Sequence, residues 1–152
     1  MSFLPDSAYK IEQLSVFLEN RSGRLAEIIH LLGHAQLNIR ALSLADTSDF
    51  GILRLLASDN RAAEKLLKEH GFTTGRTHVV AVEMADIPGS LDHLLGLLSA
   101  RGINVEYMYA FARRELAQAI MIFRFDMIDA AIELLRGVEG SAILPATDLA
   151  AL

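Results

Sequence analysis

The chain contains no cysteine and no tryptophan, only 3 prolines, and no long hydrophobic run in its 152 residues. Without cysteine there is no disulfide scaffold, thiolate zinc site, iron–sulfur cluster or cysteine nucleophile, and a reducing compartment, by default the cytoplasm, is expected. The longest apolar runs are a few residues, such as Val79-Val80-Ala81-Val82, against the roughly 20 that cross a bilayer, so no membrane partner is expected. The opening Met1-Ser2-Phe3-Leu4-Pro5-Asp6 lacks the basic start and apolar stretch of a signal peptide, and no export is expected. Positive charge is scarce too: 14 Lys+Arg stand against 19 Asp+Glu, a formal charge of −5. The cations are scattered rather than striped, which argues against nucleic acid as a partner. Apolar residues are abundant, at 52% against 22% charged, enough for a sizeable core and too many for disorder. The length fits one domain or two of about 70 residues.

Sliding the sequence on itself decides between these. An offset of 66 superposes Val16 on Val82, Gly23 on Gly89, Leu25 on Leu91, Leu31-Leu32 on Leu97-Leu98 and Asn38 on Asn104. Further on the offset becomes 68, with Ile52 on Ile120, Ala62-Ala63 on Ala130-Ala131 and Leu66-Leu67 on Leu134-Leu135. The two extra residues fall between polar segments, Asp46-Thr47-Ser48-Asp49 and 112–117, as a hairpin tip tolerates. The chain is two copies of one unit, expected at 10–77 and 78–146, with tails at 1–9 and 147–152.

Within a unit, Leu14, Val16 and Leu18, like Val80, Val82 and Met84, alternate with their neighbours, and period two means strand. Leu25, Ile28, Ile29 and Leu32 then fall at helical spacing, as do Leu91, Leu94, Leu95 and Leu98. Hairpins are expected over 39–45 with 51–57 and 105–111 with 119–125, second helices over 62–70 and 130–135, and short last strands at 72–74 and 142–144. Each copy reads β-α-β-β-α-β. The fold class is therefore α+β, two ferredoxin-like units whose antiparallel sheets carry their helices on one face.

The repeated turn between first strand and first helix is Asn20-Arg21-Ser22-Gly23-Arg24-Leu25, then Asp86-Ile87-Pro88-Gly89-Ser90-Leu91. A glycine there lets backbone approach a ligand, and the unpaired amides opening a helix suit a carboxylate. Asn38 and Asn104, opening the next strand, add amides whose oxygens accept from an ammonium. Carboxylate and ammonium together describe an amino acid; ordinary turn and cap chemistry is the plainer alternative.

The β-α-β-β-α-β repeat, the Asx-x-x-Gly-x-Leu turn, the Asn-Ile or Asn-Val strand opening and the segment 40–54 resemble a tandem ACT-domain protein with no catalytic domain, over residues 10 to 146. The resemblance implies a regulatory module of amino-acid metabolism that binds an amino acid at interfaces between units. It implies a ligand-facing set of Asn20, Gly23, Arg24, Leu25 and Asn38, then Asp86, Gly89, Ser90, Leu91 and Asn104. Two departures stand out: Ser22 takes the place of Pro88, and Gln36 takes that of the helix-ending Gly102, which predicts a strained helix end.

Other signals are weaker. His30 and His34 have the i, i+4 spacing of metal ligands, but no third ligand is evident and no metal or cofactor is expected. No nucleophile set or phosphate loop is present, so the protein is expected not to be an enzyme. With Leu14, Val16, Ile39 and Leu53 under the helices, strict alternation puts Phe17, Leu42, Leu44, Ile52 and Leu56, then Met108, Ala110, Ile120 and Ile122, on a second, apolar sheet face that needs a cover. Tyr107, Tyr109 and Phe111 replace Ala41, Ser43 and Ala45 between copies, as core filler or as the edge of an unequal pocket. Residues 75–78 reach at most about 14 Å, less than the about 29 Å needed if the copies paired through their second strands. A hairpin or continuous strand is expected over 73–84, leaving the second strand to pair between chains as a homodimer. The alternative function is a regulatory subunit or interaction module that docks on a biosynthetic enzyme such as acetolactate synthase through the apolar face.

Overall fold

The computed structural model describes residues 4–111 and 118–150; the hairpin tip expected at 112–117 lies outside them. The chain divides into two compact units, residues 12–77 and residues from His78 on together with the N-terminal segment up to Ile11. The first unit holds β1 (Ile11–Glu19), α1 (Arg24–His34), β2 (Ile39–Asp46), β3 (Phe50–Ala57) and α2 (Asn60–Glu69). β4 runs unbroken over Thr73–Ala85, and the division falls inside it. The second unit continues with α3 (Ser90–Ala100), β5 (Val105–Phe111), β6 (Gln118–Phe125), α4 (Ile128–Leu135), β7 (Ser141–Leu144) and α5 (Ala146–Ala150).

The sheet order is β2-β3-β1 with β4 next in the first unit, and β5-β6-β4-β7 in the second, with the register-defined pairs all antiparallel. This is the β-α-β-β-α-β plan in both copies. Each unit has its own core, one built on Leu14, Val16, Leu53 and Leu55 under Ile28, Leu32 and Leu67, the other on Val80, Val82, Phe123 and Phe125 under Leu94, Leu98 and Ile132. Burying such side chains contributes about 1.5–3 kcal/mol each, which makes the alternation of apolar residues the fold's main determinant.

The second sheet face differs from strict alternation. Leu42 pairs with Leu55 and Leu44 with Leu53, so both point to the helix side, where they stay 45% and 49% exposed at the sheet edge. Met108 and Ala110 pair with Phe123 and Met121 and turn the same way. The cause is a bulge in each copy. Between Ile39 and Ala41, and between Val105 and Tyr107, the partner strand advances one residue while β2 or β5 advances two. One extra residue, Arg40 or Glu106, inverts every side chain that follows. Ala41, Ser43 and Ala45, and the rings of Tyr107, Tyr109 and Phe111, therefore lie on the face opposite the helix core, with Ile52 and Leu56, and with Ile120 and Ile122.

The end of α1 carries strain. Gln36 has φ 59°, whereas Gly102 has φ 69° after α3. A left-handed conformation costs a side-chain-bearing residue about 1–2 kcal/mol and glycine nothing comparable. Gln36→Gly is therefore expected to stabilise the fold by roughly 1 kcal/mol. A urea midpoint unchanged or lowered by the substitution refutes this.

One buried charge needs its partner. Glu64 on α2 is 5% exposed and accepts from Arg76 Nη2 at 2.6 Å and Nε at 3.0 Å, with Lys68 Nζ at 3.5 Å. The Arg76 hydrogen bond holds the Glu64 carboxyl below its ordinary 4.5, against the opposing effect of burial. The pair's stabilisation is complete above the unfolded value and is lost as pH falls from 4.5 through the lowered folded value. Because Arg76 is 43% exposed, solvent screens the pair and the effect is modest. Urea midpoints measured from about pH 6 to about pH 3 should fall more steeply for the wild type than for Glu64→Gln; parallel curves would show the pair adds nothing.

The N-terminal segment belongs to the second unit. A 3-10 turn at Asp6–Tyr9 packs Tyr9 against that core, Arg136 donates to Asp6 and lies 5.1 Å over the Tyr9 ring, and Lys10 pairs with Asp129 at 2.8 Å.

Candidate functional site

Each unit's first strand runs into a type II turn that opens a helix. The Arg24 N–H donates to the Arg21 carbonyl at 3.4 Å, and the Ser90 N–H to the Ile87 carbonyl at 3.4 Å. The third residue of such a turn needs positive φ, which Gly23 (φ 91°, ψ −17°) and Gly89 (φ 94°, ψ −17°) supply. Pro88 at the second position has a ring-fixed φ that fits; Ser22 reaches the same glycine dihedrals without it. The glycine carbonyls also start the helices, accepting from Glu27 N–H at 3.0 Å and His93 N–H at 2.9 Å. No side chain caps α1 or α3, so their opening amides carry the positive end of the helix dipole. A Cβ on either glycine would meet no heavy atom within 4 Å. A carboxylate is the chemical complement of such a helix start.

The residues beside Gly23 are largely engaged. Asn20 donates from its backbone to the Asp49 carbonyl at 2.9 Å and from Nδ2 to the Thr47 carbonyl at 3.1 Å, tying β1 to the β2–β3 tip. Arg24 pairs with Glu27 at 2.7 Å and Glu19 at 3.2 Å, and lies 4.5 Å over the Phe72 ring. Leu25 packs on the first core and Leu91 on the second. Asp86 is exposed.

Asn38 and Asn104 are not with these loops. Asn38 donates its N–H to Ser58 Oγ at 3.0 Å and accepts from the Ser58 N–H at 2.8 Å; Asn104 does the same with Asp126, at 2.9 and 3.2 Å. Each sits past the C-terminal end of an 11-residue helix whose N-terminus is the glycine turn. At 1.5 Å per residue that is about 16 Å, far beyond the reach of one amino acid. The structure thus groups Asn20, Gly23, Arg24 and Leu25, and Asp86, Gly89, Ser90 and Leu91, but leaves both asparagines at the opposite end of the unit.

Beside Gly89 a cleft of about 430 Å³ opens between the glycine turn and the α4–β7 connection, whose Val138, Glu139, Gly140 and Ser141 line it together with His93. A second cleft, about 410 Å³, lies between α3 and α4 and shares His93, Val138 and Glu139 with the first. Sequence reasoning placed none of His93, Glu139 and Ser141 at a site. The available signal was the pair Gly137 and Gly140, which marks a turn longer than its counterpart after α2.

His30 and His34 lie with ring centroids 4.1 Å apart and their planes tilted by 43° on the exposed side of α1. Among the described residues no three metal-ligating side chains come together. No described helix is long and apolar enough to cross a membrane.

The family model described as ACT domain pair matches residues 9–141. Among solved structures, protein BT0572 from Bacteroides thetaiotaomicron is 41% identical over 95% of this chain and 99% of its own, with a TM-score of 0.88. The regulatory subunits of aspartate kinase from Thermus thermophilus and Thermus flavus share the fold: they are 12% and 15% identical, with TM-scores of 0.60 and 0.58. Each match covers 81% of this chain, and 89% and 88% of theirs. No curated protein matches the chain.

Proposed function

The chain belongs to the ACT domain pair family, and from that membership we propose that it is a non-catalytic, amino-acid-binding regulatory protein of the cytoplasm. The observation that carries this reading is the twinned turn: two glycines with the same left-handed dihedrals, each starting a helix that no side chain caps. A side-chain cap would have satisfied one of the helix-opening amides internally, as Asp59 does for α2 by accepting from the Ala62 N–H at 3.0 Å. A helix start left without a side-chain cap supports an external acceptor. That the fold recurs in regulatory subunits of aspartate kinase supports a regulatory role.

Isothermal titration of the full chain against the twenty amino acids tests the proposal. Heat with at least one of them, at micromolar to millimolar concentration, is expected; no heat and no thermal shift in a folded sample would sink it.

The β2 edge supports a homodimer. β2 pairs only with β3 among the described strands and presents Leu42 and Leu44 at 45% and 49% exposure. Such an edge invites pairing with a second copy. Asn38 could then share a loop-bound ligand only by coming from the partner chain. Sedimentation should show a dimer that Leu44→Lys dissociates. A heteromeric complex with a biosynthetic enzyme instead would favour the docking-subunit reading, in which the same apolar residues meet another protein.

A further inference from the structure

The two glycine turns differ in what stands opposite them. The repeat offset of 66 aligns Arg24 with Ser90, and the offset of 68 aligns Phe72 with Gly140. Matching instead the positive-φ glycines before the last strand, Gly71 (φ 85°) and Gly140 (φ 80°), aligns Phe72 with Ser141. Either way, a ring and a cation in the first unit are replaced by small residues in the second. Phe72 is 4% exposed, in the first core, with the Arg24 guanidinium over its face. In the first unit the Arg24 side chain thus links the glycine turn to the last connection. In the second unit the corresponding space is the cleft of about 430 Å³, within the size range of small-molecule sites.

We propose that only the second turn holds a free ligand, one α-amino acid with an apolar side chain per chain, and that the first is closed by Phe72 and Arg24. This rests on the amino-acid-binding reading above. The cleft's groups divide as such a molecule divides. Its carboxylate lies at the uncapped amides of α3, whose charge end favours an anion. Its ammonium lies at the exposed carboxylate of Glu139, which supplies within the unit what Asn104, a helix length away, does not. Ser141, at the cleft's edge, holds a hydroxyl oxygen that is buried without a hydrogen-bond partner. Ile87, Pro88, Leu94 and Val138 make the remaining wall apolar, and Ile87 is left 62% exposed at the turn. A second charge on the ligand's side chain would be desolvated against that wall.

Titration of the full chain with L-valine, L-leucine and L-methionine, beside L-aspartate and L-lysine, reads both stoichiometry and class. One apolar amino acid per chain is expected, bound at least roughly tenfold tighter than either charged one. Glu139→Gln should weaken it by roughly tenfold or more, while Glu69→Gln, which removes the same charge in the first unit, leaves it unchanged. Two equal sites per chain, tightest binding of aspartate or lysine, or wild-type affinity in Glu139→Gln would each overturn the inference and leave the amino-acid-binding reading standing. Absence of binding by all twenty amino acids would remove both.

Discussion

Phe123→Ala is expected to lower the stability of the second unit by about 3–5 kcal/mol, the range for emptying a fully buried aromatic site. Phe123 is 0% exposed, stacks on Phe125 with centroids 5.3 Å apart, and lies across from Val80 on one side and Met108 on the other. A β-sheet roofed by two helices has no loop at that point to collapse into the vacated volume. At roughly 2–4 °C per kcal/mol, the melting temperature should fall by about 10 °C. The chain offers a convenient local reporter. It has no tryptophan, and its 3 tyrosines, Tyr9, Tyr107 and Tyr109, all belong to the second unit. Tyrosine fluorescence therefore follows that unit, whereas far-ultraviolet circular dichroism follows both. Leu53→Ala, which empties the first core, should shift the dichroism transition by about 2–5 kcal/mol. Its effect on the tyrosine transition then reports whether the units unfold together. A loss below about 1 kcal/mol in Phe123→Ala would mean that Phe123 does not sit in a packed core.

What could be read in the sequence, and what could not, follows from which residues carry a local signal. Leu14, Val16 and Leu18 announce a strand because burial of one sheet face imposes period two, and the copy at Val80, Val82 and Met84 repeats it. The strained end of α1 was legible as well. Gln36 stands where Gly102 stands, and the backbone there takes a left-handed turn in both copies, φ 59° and φ 69°. The bulges at Arg40 and Glu106 were not legible. A bulge depends on the partner strand's register, and nothing in residues 39–46 alone distinguishes one extra residue from none. That single unread residue in each copy reversed the assignment of Leu42, Leu44, Met108 and Ala110.

The candidate site was legible to a similar depth. The glycine turns and their neighbours come together because they are consecutive in sequence and their conformation is local. Asn38 and Asn104 carry the right chemistry, but an amphipathic helix of known length stands between them and the turns, and its rise alone would have placed them about 16 Å away. Glu139 and Ser141 reach the cleft beside Gly89 from a connection about fifty residues further along the chain, brought there by the pairing of β7 with β4. Phe72 against Gly140 or Ser141, and the longer turn marked by Gly137 and Gly140, left traces that comparison of the copies could have found.

Gly89 separates a ligand site from a structural turn, because two substitutions act on different properties of it. Valine at φ 94° places a β-branched side chain in the left-handed region and costs about 1–2 kcal/mol of stability or more. Asparagine tolerates that region, and no heavy atom lies within 4 Å of the position its Cβ would take, so Gly89→Asn should fold with nearly wild-type stability. If the turn serves only to start α3, Gly89→Asn is silent in every assay. If an amino-acid carboxylate approaches the amides beside Gly89, the added side chain stands in its path, and both variants lose binding. A drop of roughly tenfold or more is expected in each, the size of effect that follows from displacing a charged hydrogen-bonded group. Urea unfolding then divides them: Gly89→Val shifts the midpoint and Gly89→Asn does not. On the proposal that Phe72 and Arg24 close the first turn, the same pair of changes at Gly23 should alter stability in the same order and leave ligand affinity unmoved. Full affinity in Gly89→Asn would mean that the ligand, if one binds, does so without this turn.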